Sequence, residues 1–172
     1  VIWFDAHGDF NTPETTISGF FDGMALAMLL GRSFRGLLGS EYHPIPEAHA
    51  IHVGGRDFDL EEWKQLQQSS VMVISPDEAR ESGIDRALSV LEQKAKRVHI
   101  HFDLDALDSS IGSANQFAVP NGLSLSDAQR IIKQIRKRLT LVSATVSSYD
   151  PTCDAEGTIL QAGTQIMRSL VD

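Results

Sequence analysis

Val1-Ile2-Trp3-Phe4-Asp5-Ala6-His7-Gly8-Asp9-Phe10-Asn11 and Val98-His99-Ile100-His101-Phe102-Asp103-Leu104-Asp105-Ala106-Leu107-Asp108 decide how this chain is read. In each, an apolar run gives way to an acidic stretch containing histidine. That is the pattern of a buried strand at its C-terminal end. In an extended chain, side chains at i, i+2 and i+4 share a face. The spacing therefore puts Asp5, His7 and Asp9 on one side of the first segment, and His101, Asp103 and Asp105 on one side of the second. On neighbouring strands the two would bring Asp5, Asp9, Asp103, Asp105 and at least one imidazole into one small volume. So much negative charge repels itself unless a cation is present. Carboxylate-rich sets with an imidazole suit Mn2+, Mg2+ or Zn2+.

Outward from these segments the elements alternate, which predicts an α/β domain with a mainly parallel sheet. Strands are expected at Val1 to Asp5, Ala50 to Val53, Val71 to Ile74, Val98 to Asp103 and Leu141 to Ser147. Helices are expected at Gly23 to Leu30, Leu60 to Gln67, from the Ser75-Pro76-Asp77-Glu78 start signal, at Ile84 to Lys96, and from a capping box at Ser126 to near Leu139. Gly157 to Leu170 is expected to close the fold. The long loop from Gly31 to Pro46 is a place where a site could be built.

The 172 residues suffice for one domain, residues 1–172, with a real core, and 42% of them are hydrophobic. The chain opens inside what reads as a core strand, so we expect it to be a fragment of a longer domain. Its net charge of −8 argues against nucleic acid and against an anionic membrane as partner. The single cysteine, Cys153, leaves no internal disulfide framework. No apolar run is long enough to span a bilayer, and a cytoplasmic setting is expected.

Asp5-Ala6-His7-Gly8-Asp9-Phe10-Asn11-Thr12-Pro13, continued by Thr15-Thr16-Ile17-Ser18-Gly19, resembles the first signature of the ureohydrolases (arginase, agmatinase and formimidoylglutamase). His101-Phe102-Asp103-Leu104-Asp105-Ala106-Leu107-Asp108 resembles their second, and Val119-Pro120-Asn121-Gly122-Leu123-Ser124 the Pro-Gly-Gly-Leu stretch that follows. The resemblance implies a three-layer α/β/α arginase-like fold whose first strands are missing here. It also implies a dinuclear manganese site, with one ion or none possible in this chain. Asp5 and Asp103 would bridge the metals, Asp9 would hold one, and His7 with Asp105 the other. A metal-bound hydroxide would then attack the sp2 carbon of a small amidine- or guanidine-like substrate, with Asp9 orienting it. Asn11, Ser18 and, in Arg56-Asp57-Phe58-Asp59, the acid Asp59 match substrate-binding positions. The family commonly forms homo-oligomers.

The chain departs from that pattern at three places. The family's further metal-binding His, in an upstream Gly-Gly-Asp-His segment, has no counterpart here. Asp22 stands where arginases carry a proton-shuttling His, and serves equally as a helix cap or a catalytic residue. Ser148 stands where arginase and agmatinase have a Glu that pairs with the guanidinium, with Asp150 and Asp154 the nearest acids in sequence. Asp59 could equally cap the helix at Leu60. His101 reads as a polar strand end rather than a substitute ligand, and His43, His49, His52 and His99 as surface or interface residues. Two other readings stay open: a one-metal deacylase-like hydrolase on the same fold, and a non-catalytic or incomplete family member.

Overall fold

The computed structural model describes residues 1–171. Its centre is a sheet of five strands in the order β3-β2-β1-β4-β5, every neighbouring pair parallel. The strands are β1 (Ile2–Phe4), β2 (Ile51–Val53), β3 (Met72–Ile74), β4 (Arg97–Asp103) and β5 (Thr140–Ser147). The helices are α1 (Ala25–Leu29), α2 (Arg35–Leu38), α3 (Leu60–Gln68), α4 (Pro76–Arg80), α5 (Gly83–Leu91), α6 (Leu125–Arg138) and α7 (Thr158–Val171).

Strand alternation builds a core on each face. Ile2 lies opposite Ile51 and Ile100, and Phe4 opposite Val53 and Phe102. These side chains pack on Leu88 and Leu91 of α5, Ile131 and Ile135 of α6, and Ile166 of α7. Phe4 and Phe102 are fully buried and stack at 4.9 Å between ring centroids; burying each contributes about 1.5–3 kcal/mol. On the other face Val1 and Trp3 meet Leu26 and Ala27 of α1 and Leu66 of α3. This gives the three layers expected. The second helical layer covers β1 to β3. Over the other end of the sheet that face is polar, with His99 Nδ1 2.8 Å from Ser143 Oγ.

Local chemistry explains the helix starts. Ser75 and Glu78 form a reciprocal capping box on α4, with Pro76 in the first turn. Asp59 and Glu62 do the same for α3. α6 starts two residues earlier than the sequence reading had it: Ser124, not Ser126, is the cap, and its Oγ accepts from Asp127 N at 3.0 Å. The expected helix over 23–30 is a 3-10 turn at Asp22–Met24 followed by α1, and the one over 84–96 stops at Leu91. No helix is long and apolar enough to cross a membrane among the described residues.

Candidate metal centre

β1 and β4 are adjacent and parallel, so the acidic segments that follow them emerge side by side. Asp103 is the last residue of β4, and Asp105 sits in the 3-10 turn Leu104–Ala106. Beyond Phe4 the first segment is no longer a strand, so alternation does not by itself align Asp5, His7 and Asp9. The convergence comes from turns. Asp5 Oδ1 accepts from the His7 backbone N–H at 2.8 Å. Asp9 takes a left-handed backbone, φ 50°, and its carbonyl accepts from Ala27 N. This conformation is uncommon for a non-glycine residue, though Asp takes it more readily than most. Gly8 leaves room for Glu62: a Cβ at residue 8 would lie 2.5 Å from the Glu62 Cδ. Glu62 in turn accepts from Phe10 N and Asp59 N at 2.9 and 3.2 Å.

Two overlapping groups of ligand atoms result. Asp5, His7 and Asp105 form one, and Asp5, Asp9 and Asp103 the other, with the atoms in each within 4.8 Å of one another. His7 Nδ1 lies 3.3 Å from Asp5 Oδ1 and 3.6 Å from Asp105 Oδ2. Asp5 belongs to both groups, as a bridging ligand must. Asp103 belongs to one of them. Buried carboxylates with one imidazole are a hard donor set, and they fit divalent cations of the Mn2+ and Mg2+ kind.

The proton affinities follow from burial and crowding. Asp5 is pushed up to about 7, first by burial and then by Asp103 and Asp105, against the hydrogen bonds from His7. Asp9 is raised well above the carboxylate range by burial and by Asp5 and Asp103. At Asp103 burial is the largest influence and acts upward. The hydrogen bonds from His101, Ser147 and Ser148 outweigh it and bring this carboxyl below its ordinary value. Burial likewise opposes the charged form of His7, yet Asp5 and Asp105 raise it to about 9.

Above the cluster opens a cavity of about 700 Å³ lined by His7, Asp9, Asp103 and Asp105, and by Asn11, Ser18, Asp22, Asp59 and Ser148. Asp5 lies fully buried beneath. Asn11 Nδ2 donates to Asp59 Oδ2 at 3.0 Å, so these two act as one unit, while Asp59 also caps α3. Ser18 Oγ accepts from Phe20 N. Asp22 is exposed on the wall, in the first position of its 3-10 turn. No lysine or arginine lines the cavity among the described residues. The loop from Gly31 to Pro46 does not line it either; Phe20 and the 115–119 segment do.

Several contributors were not legible in the sequence. His52 is fully buried rather than at the surface. Its Nε2 donates to the His7 carbonyl at 2.6 Å, and burial lowers its pKa to about 4, so it is a neutral prop for the His7 backbone. Its signal was the position opposite Trp3 on β2, visible only once the register is known. Asn115 Nδ2 donates to Asp105 Oδ2 at 2.9 Å and to the Ser148 carbonyl at 3.2 Å. Arg56 binds the carbonyls of Asp105, Leu107 and Val119 at 2.9, 3.2 and 2.8 Å, stapling the turn after β4 to the cavity rim. His101 stays outside both ligand groups.

Both acids near Ser148 hold local hydrogen bonds, and Asp150 also lines the cavity. Asp150 Oδ1 accepts from Thr152 N and Oγ1 at 2.8 and 2.7 Å. Asp154 is buried and accepts from Ile159 N and Leu160 N at the start of α7. Ser148 Oγ itself donates to Asp103 Oδ2 at 2.6 Å.

Comparison with known proteins bears on the chain and its fold as a whole. The sequence model of the Arginase family matches residues 1–171. Arginase of Entamoeba histolytica is 29% identical over 159 residues, covering 91% of this chain and 54% of that protein. Arginase of Glaciozyma antarctica is 31% identical, covering 99% of this chain and 52% of its own length. The crystal structure of arginase from Bacillus subtilis superposes with a TM-score of 0.89 at 30% identity, over 99% of this chain and 60% of that one. The chain thus spans about half to three fifths of the length of these relatives.

Proposed function

The chain belongs to the arginase family, and on that footing we propose that it works as a manganese-dependent hydrolase of a non-peptide C–N bond in a small substrate. The pair of overlapping ligand groups sharing Asp5 beneath a cavity carries this reading. Asp5, His7, Asp9, Asp103 and Asp105 would hold the metal, two ions when both groups are filled. When bound, the ions supply Lewis-acid polarisation and a nucleophile from water near neutral pH. Asp9 would orient the attacking water through a hydrogen bond. Asp22, on the cavity wall, is placed to pass a proton between the site and solvent. Asn11, Ser18 and Asp59 hold the polar far end of the substrate. A homo-oligomer in the cytoplasm accompanies this reading.

Position 148 bears on the reacting end. A desolvated guanidinium needs an opposed carboxylate, and such charge-assisted contacts are among the strongest a site can make. Ser148 offers a hydroxyl that is already donated to Asp103, Asp154 is held at the start of α7, and Asp150, which lines the cavity, has one oxygen engaged by Thr152. The favoured substrate is therefore neutral at the reacting carbon, as a ureido group is and a protonated guanidine or amidine is not. The test is urea and ammonia release by the manganese-loaded protein from L-arginine, agmatine and an amidine, which are cationic at the reacting carbon, and from neutral ureido compounds. We expect the neutral compounds to be preferred and Ser148→Glu to strengthen guanidinium binding. A kcat/KM on L-arginine of roughly 10⁴ M⁻¹s⁻¹ or more would overturn the substrate assignment. No C–N hydrolysis by protein shown to contain manganese would overturn the activity.

A further inference from the structure

We propose that the stacked rings of Trp3 and His101 are a positioning device that sets the separation of Asp5 and Asp103 before a cation arrives. This rests on the metal-dependent reading above.

The two rings are register partners on adjacent strands. They stack with centroids 3.6 Å apart and planes 9° from parallel. Trp3 Nε1 donates to Asp5 Oδ2 at 3.3 Å. His101 Nε2 lies 3.0 Å from Asp103 Oδ1. An ionised carboxylate oxygen only accepts, so this nitrogen carries the hydrogen. The same relation recurs on both strands: a ring at one position holds the carboxylate two residues on. Because the rings lie face to face, neither turns without the other, and the two carboxylates are coupled through the stack.

The device acts on each carboxylate in a different way. Asp5 is left with Oδ1 against His7, on the side of the first ligand group. Asp103 Oδ1 is held by His101 and also receives the Ser147 hydroxyl. His101 contacts Asp103 rather than the space among the ligand atoms, so it works through Asp103 and is a positioning residue. Outer partners of this kind change metal affinity by about 10–100-fold when removed, because they fix the orientation and basicity of the ligand they hold.

Simple packing and positioning make different forecasts. His101→Phe keeps a ring for Trp3 to stack on and removes the N–H. His101→Gln removes the ring and restores a donor. Trp3→Phe keeps a ring and removes the donor to Asp5. The experiment titrates Mn2+ into each purified protein at one pH and follows the free ion by electron paramagnetic resonance. The melting temperature of the metal-free protein is recorded alongside. We expect His101→Phe to weaken at least one Mn2+ by about tenfold or more, with metal-free melting close to wild type and partial recovery in His101→Gln. Trp3→Phe should shift affinity in the same direction, and it carries the test if His101→Phe does not fold. Wild-type stoichiometry and affinity in folded His101→Phe and Trp3→Phe would overturn the positioning role alone. Failure of the wild-type chain to bind Mn2+ would overturn the metal-dependent reading together with it.

Discussion

Asp5 and Asp103 close the same cluster from adjacent strands, yet their surroundings drive them in opposite directions. Asp5 is fully buried and faces other carboxylates, and its pKa rises to about 7. Asp103 is also buried, but His101, Ser147 and Ser148 all donate to it, and its pKa falls below the ordinary value. The β4 side of the centre is therefore built to keep its negative charge without help. The β1 side holds protons more tightly, and a cation bound there would displace them. Metal affinity should depend on the first and the pH response on the second.

The largest effect should come from Asp103→Asn. The amide cannot supply the charge that the donors were arranged to hold, and its NH2 meets groups that themselves donate. We expect loss of Mn2+ binding by two orders of magnitude or more, read by elemental analysis and ion titration. A ligand at 100 times its Kd stabilises by about 2.7 kcal/mol. For a chain of this size that is about 5–10 °C in melting temperature. Chelation should remove this increment from the wild type and leave Asp103→Asn unmoved. Equal melting with and without chelator, in wild-type protein shown to contain metal, would break the comparison at its root.

Next is the pH response of the metal-free protein, where Asp5 and His7 act in the same direction. Asp5 has its folded pKa raised from 3.8 to about 7. The folded state thus holds the proton more tightly than the unfolded chain, a stabilisation fully present below about pH 4 and lost as pH rises through about 7. His7, raised from 6.5 to about 9, contributes below about pH 6.5 and loses that contribution as pH rises through about 9. His52, lowered from 6.5 to about 4, acts in the opposite direction below about pH 6.5, so metal-free melting temperature should fall from about pH 7 to pH 9, and saturating Mn2+ should flatten the curve. Manganese binding near pH 6.5 should also release protons into weakly buffered solution. A metal-free protein that grows more stable across this window would reverse the assignment of Asp5.

Part of this contrast was legible before the fold was known. The apolar runs ending at Phe4 and Phe102, and the acids after them, were enough to place Asp5, Asp103 and Asp105 at strand ends, because a buried strand leaves few positions for charge. Ser75-Pro76-Asp77-Glu78 announced α4 because a cap is a local interaction. Trp3, His52 and His101 could not be read the same way. Each matters through a partner in another strand, and a one-residue change of register would have turned it to the opposite face. Asn115 and Arg56 act on main-chain atoms of segments distant in sequence, for which periodicity gives no signal. Asp9 was assigned to the cluster from a strand spacing it does not obey; its left-handed backbone, not alternation, brings it there.

The smallest predicted effect isolates one donor on the β4 side. Ser148 has φ 62°, a left-handed backbone that favours glycine, and its hydroxyl donates to Asp103. Ser148→Ala removes the hydroxyl and keeps the strain, whereas Ser148→Gly removes the hydroxyl and the strain together. A hydrogen bond to a charged group contributes about 1.5–3 kcal/mol, while the gain from glycine at such a φ is about 1 kcal/mol or somewhat more. Ser148→Gly should therefore melt above Ser148→Ala, with both at or below wild type. Asp103 has a lowered folded pKa, so its stabilisation is present above pH 3.8 and lost as pH falls through the folded value. Removing a donor narrows that window, and both variants should lose the advantage of wild type as pH is lowered toward 3. Because His101 and Ser147 still hold the other oxygen, Mn2+ affinity should change by only about threefold, well short of the range for losing a sole outer partner. A loss in Ser148→Gly as large as in His101→Phe would show that the three donors hold Asp103 in common and that the stacked ring has no special part.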